Sequence, residues 1–296
     1  MGCYAFFVTC FCLFFSVAGN VQATEKSYPS RLWQIDLPKS KQLKASYLLG
    51  TMHLADKAIV NLPPHINRVV DKADSLTVEV KLDSGSFRTM SEYSALKGKK
   101  TLSDLIGDNT FNQVLDILRN RGINKYGLQR LKPWVVGLML NYPPPSLDPV
   151  LDYSLQLRFA NAGKPVYQLE TAEEQIRLFN RLSLQDQVKF LRFSLQQQEN
   201  FDGYLEAMKR LYLADDLDGL QALANEQMGD VSEPYLEELF QELIDKRNLT
   251  MVDRMRVRIH EGNALIAVGA LHLTGDYGII AILRELGYRV VPIRPN

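Results

Sequence analysis

Short apolar stretches lie near both ends of the chain, and helical patterns fill most of the middle. The stretches typical of strands are 31–36, 45–49, 76–80, 165–169, 263–268 and 289–293. Apolar residues recur at helical spacing between them, almost without interruption over 171–261. Strands from distant segments assemble into one sheet when helices fill the connections. We therefore predict an α/β (α+β) fold with a mixed central sheet, a large helical insertion and a single domain over 24–296.

Three local signals predict where helices begin. Thr110 is a candidate cap for a helix through 118, and Pro133 suits the first turn of a helix through 140. Ser183 stands three residues before Asp186, as a capping residue does.

The first 23 residues differ from the rest because they carry no charged side chain. Val21-Gln22-Ala23 resembles a signal-peptidase site, so we expect cleavage and a periplasmic or secreted mature chain. The alternative is an uncleaved anchor in the inner membrane, since about 18 apolar residues can span a bilayer. In that case only this segment contacts the membrane. Intact mass of the protein from a native-type host distinguishes the two.

Composition limits which partners the protein can bind and which side chains can form a catalytic or metal site. Lys and Arg total 34, as do Asp and Glu, and 46% of residues are hydrophobic. Balanced charge argues against a nucleic-acid partner, and the apolar content excludes a disordered chain. All three cysteines lie before residue 24, so the mature chain has no thiol nucleophile or thiolate ligand. Any metal site there must use carboxylates and the four histidines, His53, His65, His260 and His272.

One motif occurs twice. Gly50-Thr-Met-His53 and Gly269-Ala-Leu-His272 each follow an apolar strand and precede leucine. Glycine lets the backbone turn or approach a neighbour closely, and ligands collect at the carboxyl ends of strands in α/β folds. Two imidazoles delivered there can share a divalent metal. The alternative is that each histidine only caps its strand. His65 and His260 fit helix-end positions instead.

Two carboxylates extend this constellation. Glu79 interrupts the apolar strand 76–80, and Glu170 follows the strand 165–169. Each is a candidate metal ligand or general base, and either could accept a proton from water. The structural alternatives are a solvent-facing side chain for Glu79 and a favourable charge before the helix that begins near Thr171 for Glu170. With only two histidines the site is oxygen-rich, which favours Mn²⁺ or Co²⁺ over structural Zn²⁺.

The motifs, taken in order, resemble the TraB/GumN family, which is related to the Tiki proteins and more distantly to the ChaN/erythromycin-esterase group. The resemblance is carried by Tyr47-Leu-Leu-Gly-Thr-Met-His53, Val78-Glu79-Val80, Leu151-Asp152, Gly163-Lys-Pro165, Leu169-Glu170-Thr171, Arg247-Asn248 and Ala267-Val-Gly-Ala-Leu-His-Leu273. It implies a ChaN-like sheet and a metal-dependent hydrolase, in Tiki relatives a peptidase.

The resemblance also assigns residues. It places the paired motifs on Gly50/His53 and Gly269/His272, the acidic residue on Glu79 and an arginine on Arg247. Arg247 would stabilise oxyanion charge or orient a carboxylate. The expected partner is a peptide or small-molecule substrate, and the cofactor is a divalent ion such as Mn²⁺, Co²⁺ or Zn²⁺. The alternative is a non-catalytic protein that binds haem, a peptide or a signalling ligand in the same cleft. An assembly role in polysaccharide export or conjugation rests on family context alone.

Overall fold

The computed structural model describes residues 27–37, 44–144, 146, 148–228, 238–239 and 241–295. The expected signal peptide or anchor at 1–23 lies outside these ranges. The chain forms two compact units. One contains residues 82–146 and 172–205, and the other contains the described residues of 27–81, 147–171 and 206–295. The prediction of one domain over 24–296 stays a prediction.

The second unit contains the sheet, which confirms the predicted mixed α/β architecture. Its strands are β1 (Leu32–Asp36), β2 (Ser46–Thr51), β3 (Ser75–Val78), β4 (Val166–Gln168), β5 (Ala264–Gly269) and β6 (Arg289–Pro292). Their order is β4-β3-β5-β2-β1-β6. The pairs β4–β3, β3–β5 and β5–β2 are parallel, whereas β2–β1 and β1–β6 are antiparallel. Four carboxyl ends therefore meet at one edge.

Burial distinguishes the interior strands β5 and β3 from the edge strand β4. Every residue of β5 and of β3 is buried, and both strands are rich in aliphatic side chains. Strands buried on both faces read as continuous apolar runs, as expected for parallel strands covered by helices. The edge strand β4 is only three residues long and mostly exposed.

Helices connect the strands of this unit. They are Lys57–Val60, Pro64–Lys72, Leu151–Asn161, Leu217–Met228, Arg247–Glu261 and Ile279–Glu285. The helix Phe201–Leu213 includes residues of both units. Among the residues that the structure describes, no helix has the length and apolar character needed to span a membrane.

The other unit is helical. Its α-helices are Ser84–Ser94, Leu102–Ile106, Asp108–Arg119, Lys125–Gln129, Pro133–Leu140, Ala172–Asn180 and Leu184–Gln196. Trp134, Phe179 and Phe190 form its aromatic core, with ring centroids 5.8 and 5.2 Å apart along the series. Gly137 lies against the Phe190 ring, where a Cβ atom would be only 2.7 Å from ring carbons.

Local signals were confirmed at two of the three helix starts. Pro133 is the first helical residue of Pro133–Leu140, and the Ser183 side chain accepts from the Asp186 N–H. The prediction for Thr110 was wrong, because that helix begins at Asp108 after Gly107. Gly107 adopts φ 84°, which glycine reaches without strain and which ends the preceding helix.

Gly50 joins the two motifs by close approach. A Cβ atom at Gly50 would lie 3.1 Å from the Cα of Ala270 and 3.0 Å from Cδ1 of Leu273. Its N–H donates to the Arg31 carbonyl at 2.7 Å, and its carbonyl accepts from the Tyr212 hydroxyl at 3.0 Å. These hydrogen bonds leave the backbone at Gly50 little room to move away from Ala270 and Leu273. Glycine is therefore required here because its neighbours approach so closely, and not because the backbone is left-handed.

The replacement Gly50→Ala should therefore lower the free energy of unfolding by about 1–3 kcal/mol, as overpacking does. Gly203→Ala is the control, because the residue is in a helix and the added methyl would have no atom within 4 Å apart from the adjoining residues and its own helical backbone. That change should be neutral or stabilising by up to about 1 kcal/mol. Urea unfolding of the three proteins measures both effects. Equal stability of Gly50→Ala and wild type would contradict the close-packing interpretation.

Candidate active site

Four strand ends deliver the predicted residues to one edge of the sheet. In the order β4, β3, β5 and β2, they are Glu170, Glu79, His272 and His53. Each follows its strand within three residues, and register fixes their depth, since Thr51 pairs with Gly269 and Val78 with Ala267. The carboxyl edge of a parallel sheet is where ligands bind in α/β folds. The structure thus brings the predicted set together, while the roles of its members stay predictions.

His53 is paired with an acid from the helix Leu151–Asn161. Its Nδ1 lies 2.9 Å from Oδ2 of Asp152, and the Thr51 hydroxyl donates to Oδ1 of the same carboxylate at 2.9 Å. All three side chains are buried. Burial would lower the pKa of His53, but the Asp152 carboxylate, helped by Glu79, raises it above the ordinary value. His53 therefore holds a proton more tightly than a free imidazole.

His272 has a neutral partner instead. Its Nδ1 lies 2.6 Å from Oδ1 of Asn248, and no part of the imidazole is exposed. Burial lowers the pKa of His272 to about 3, which outweighs the attraction of Glu79. Its Nε2 makes no hydrogen bond and lies 3.8 Å from Oε1 of Glu79. The pKa values of the two motif histidines are thus shifted in opposite directions.

Glu79 lies just beyond β3, which ends at Val78, so the prediction that it lies within the strand was wrong. Its backbone carbonyl instead accepts from the N–H groups of Leu169 and Glu170. The carboxylate is buried, which excludes a solvent-facing role. Oε1 accepts from the Gly269 N–H, and Oε2 accepts from Nη2 of Arg247, both at 2.7 Å.

These contacts keep Glu79 ionised. Burial would raise its pKa, but the Arg247 guanidinium, the His53 imidazole and the Gly269 N–H hold the pKa of this carboxyl well below its usual range. A carboxylate with so low a proton affinity is a better ligand for a cation than a general base.

Arg247 binds both carboxylates at once. Its Nε lies 3.1 and 3.0 Å from the two oxygens of Glu170, and Nη2 lies 2.7 Å from Oε2 of Glu170 and of Glu79. Of the two roles expected for Arg247, the structure shows the contact that orients carboxylates. Glu170 is buried in this pair, so its side chain does more than place charge before a helix.

A π-helix at Glu242–Lys246 precedes Arg247 and aims it. The backbone N–H of Arg247 bonds to the Ile244 carbonyl, and Nη1 of the same residue donates to the Leu243 carbonyl at 2.9 Å. In a regular α-helix the Leu243 carbonyl would accept from the backbone N–H of residue 247. Short π segments often occur at functional sites.

The donors fit a divalent cation in two respects. Each motif histidine has Nδ1 held by a side chain, as in metal sites where such partners orient the ligand nitrogen. In addition, Nε2 of His272 and Oε1 of Glu79 are two buried acceptors that face each other. A cation bound between them would replace their mutual repulsion with attraction to both. Within the described ranges, however, no three His, Cys, Asp or Glu side chains converge as a complete metal site.

Both motifs also line one small pocket, with room for about one water molecule. Its lining residues are Thr51, Met52, His53, Met208, Leu220, Ala270 and Leu271. His53 therefore borders a space the size of about one water molecule.

Sequence reasoning gave no role to Thr51, Asp152 or Asn248. Asp152 lies in the first turn of a helix, where an acid has an ordinary structural explanation. Asn248 stands beside Arg247, and only its contact with His272 connects it to the site. Both had appeared in the motifs that carry the family resemblance, which was the one available signal. His65 and His260 lie at helix ends, as expected.

Removal of the guanidinium should be costly. Arg247→Met leaves Glu79 and Glu170 buried and charged without a counter-ion, so we expect a loss of about 3–5 kcal/mol in the free energy of unfolding. Arg289→Met is the control, since Arg289 bonds Asp36 at 3.0 Å from an exposed position and should contribute less than about 1 kcal/mol. Urea unfolding at neutral pH compares them. Similar losses in the two variants would contradict the buried-charge interpretation.

The pair His53–Asp152 predicts a pH dependence of stability in protein freed of metal by a chelator. Because the pKa of His53 is raised by folding, its contribution is fully present below the unfolded value of about 6.5 and is lost as pH rises through the folded value. The slope can reach about 1.4 kcal/mol per pH unit. Urea unfolding between about pH 6 and 9 should show this decline, and Asp152→Asn should reduce it. An unchanged slope in Asp152→Asn would refute the assignment.

Several known proteins align with most of this chain. The chain is 25% identical over 258 residues to the uncharacterized protein YbaP of Shigella flexneri. This alignment covers 84% of the chain and 90% of YbaP. It is 26% identical to a metalloprotease TIKI homolog of Amphimedon queenslandica and 24% identical to metalloprotease TIKI2 of Danio rerio. These alignments cover 90% and 92% of this chain, and 62% of each TIKI protein.

The family-level comparison covers both motifs and every strand of the sheet. The TraB/PrgY/gumN family matches residues 32–292, from the first residue of β1 to the last of β6. The chain therefore belongs to the TraB/PrgY/gumN family.

Proposed function

We propose that this protein is a hydrolase that depends on a divalent metal ion, and that its substrate is a peptide. The observation that carries the proposal is the buried Nε2 of His272, which has no hydrogen-bond partner and lies 3.8 Å from the ionised Glu79. The TIKI relatives, which are metalloproteases by name, support the peptide substrate.

His272 and Glu79 would hold the cation. When bound, a divalent ion polarises a carbonyl group and lowers the pKa of a nearby water. Arg247 and the Gly269 N–H keep Glu79 ionised even before a metal ion binds. The carboxylate is therefore already in the form that binds a cation. Glu170 holds the Arg247 guanidinium through both carboxylate oxygens, so its role is to orient that guanidinium rather than to accept a proton.

His53 has two chemically distinct roles open to it. Its Nδ1 is anchored by Asp152, which suits a third ligand through Nε2. The same carboxylate raises its pKa, which suits proton exchange near neutral pH, for example with the leaving amine. Metal occupancy distinguishes these roles, since a ligand is needed for binding and a proton carrier is needed only for turnover.

The test begins with full-length protein treated with a chelator and then supplied with Mn²⁺, Co²⁺ or Zn²⁺. Cleavage of a peptide library is followed by mass spectrometry, and bound metal by elemental analysis. Wild type should cleave only with metal, and His272→Ala should lose both metal and cleavage. His260→Ala is the control, because His260 lies at a helix end and contacts Tyr288 rather than the site. His53→Ala separates a ligand from a proton carrier.

Full metal occupancy in His272→Ala would overturn the metal assignment. Cleavage that survives complete chelation would overturn metal dependence. Stoichiometric metal binding by wild type without turnover of any peptide would overturn the peptidase and favour a ligand-binding protein of the same fold.

A further inference from the structure

Asn248 lies in a chain of hydrogen bonds whose direction can be deduced. Its Nδ2 lies 2.8 Å from the backbone carbonyl of Tyr277, and its Oδ1 lies 2.6 Å from Nδ1 of His272. A backbone carbonyl only accepts hydrogen bonds, so the atom facing Tyr277 must be the amide nitrogen. The Oδ1 atom is thereby turned toward His272.

The opposite orientation of the amide would be unfavourable. It would place the amide oxygen of Asn248 2.8 Å from the Tyr277 carbonyl oxygen, and the amide nitrogen against Nδ1 of His272. Asn248 and His272 are both buried, so water could not relieve these contacts. A buried polar group that loses its hydrogen bond costs about 1–3 kcal/mol. The orientation of Asn248 is therefore set by the backbone of Tyr277, which precedes the helix Ile279–Glu285.

This orientation decides which nitrogen of His272 carries the proton. The Oδ1 atom of Asn248 accepts only, so the hydrogen between it and Nδ1 must belong to the imidazole. A neutral imidazole has a single N–H, and therefore Nε2 presents its lone pair. That lone pair is on the nitrogen that lies 3.8 Å from Oε1 of Glu79.

We propose that Asn248 is a positioning residue that fixes His272 as the Nδ1–H tautomer and so directs the Nε2 lone pair to the cation site beside Glu79. The use of that lone pair rests on the proposed function. Asn248 follows Arg247 in the same helix, so one dipeptide orients both sides of the site. Arg247 holds the Glu79 carboxylate, and Asn248 holds the imidazole that faces it.

The two copies of the motif differ at this point. Asp152 occupies the position beside His53 that Asn248 occupies beside His272. A carboxylate favours the imidazolium ion, whereas a neutral amide oxygen accepts a hydrogen bond without attracting a second proton. The amide therefore holds Nδ1 of His272 without favouring a proton on the other nitrogen.

The direct test is nitrogen NMR of the full chain labelled with ¹⁵N-histidine and freed of metal by a chelator. His272→Ala assigns the resonances among the four histidines. Two-bond proton–nitrogen correlations at neutral pH should show Nδ1 protonated and Nε2 unprotonated in wild type. In Asn248→Leu the ring should populate both tautomers, and in Asn248→Asp the Nδ1 atom should stay protonated.

Titration calorimetry with Mn²⁺ and with Zn²⁺ gives a second readout. Asn248→Leu should weaken binding about 10–100-fold, as loss of such a partner does, and Asn248→Asp should restore most of it. Leu249→Ala, at the exposed neighbouring position, is the control and should alter neither spectrum nor affinity. Circular dichroism and urea unfolding of each variant separate loss of fold from loss of the tautomer.

An Nε2–H tautomer or an imidazolium in wild type would overturn the inference, as would an unchanged tautomer in Asn248→Leu. Correct tautomers and Asn248-dependent metal binding, without cleavage of any peptide, would leave the inference standing and overturn the proposed peptidase. The two failures are therefore distinguishable.

Discussion

One buried guanidinium holds the carboxyl edge of the sheet together. Arg247 lies between Glu79 and Glu170, two carboxylates that would repel each other if they were left alone in a buried site. Two negative charges share one positive charge, so this cluster has a net charge of −1 when both acids are ionised. A buried cluster with unbalanced charge is unfavourable unless hydrogen bonds or a further cation compensate it. The Gly269 N–H supplies part of this compensation.

The duplicated motif gives similar backbone placement and different electrostatics. Gly50 allows the β2 end to contact the segment after β5, so the two histidines emerge from neighbouring strands. Their chemistry is then set by side chains from elsewhere in the chain. Asp152 raises the pKa of His53, whereas burial lowers the pKa of His272, whose Nδ1 faces the neutral amide of Asn248. Similar sequence at two strand ends therefore does not mean equal function.

The sheet and the histidine pair could be predicted because their signals are local. Strand periodicity and the repeated glycine–histidine spacing each fit within a few residues. The partners could not be predicted in the same way. Thr51 and Asp152 are 101 positions apart, and Arg247 and Glu79 are 168 apart, so no local pattern joins them. Glu79 was placed within a strand because its neighbours are β-branched, but its carbonyl bonds to the segment after β4 rather than continuing the ladder.

Composition marks the division into two compact units only through the three prolines at 143–145, which lie just before the boundary at 146–147, because each unit is built from separate stretches of chain. A linker is easiest to recognise when each domain is one continuous stretch and a single segment joins them. Here the chain passes between the units several times.

The π-helix before Arg247 has a consequence for how this segment tolerates change in length. A wider helical turn takes up an extra residue, and the carbonyl of Leu243 that this frees is taken by the arginine's own side chain. Loss of one residue from Glu242–Lys246 would restore ordinary α-helical winding, and the Leu243 carbonyl would then accept a hydrogen bond from a backbone N–H instead. Because the wider turn accommodates its extra residue locally, the helix on either side would keep nearly the same orientation, and the change would fall on Arg247, whose side chain would lose the Leu243 carbonyl as a partner. Gain or loss of this one residue therefore affects how the arginine is held rather than the course of the helix.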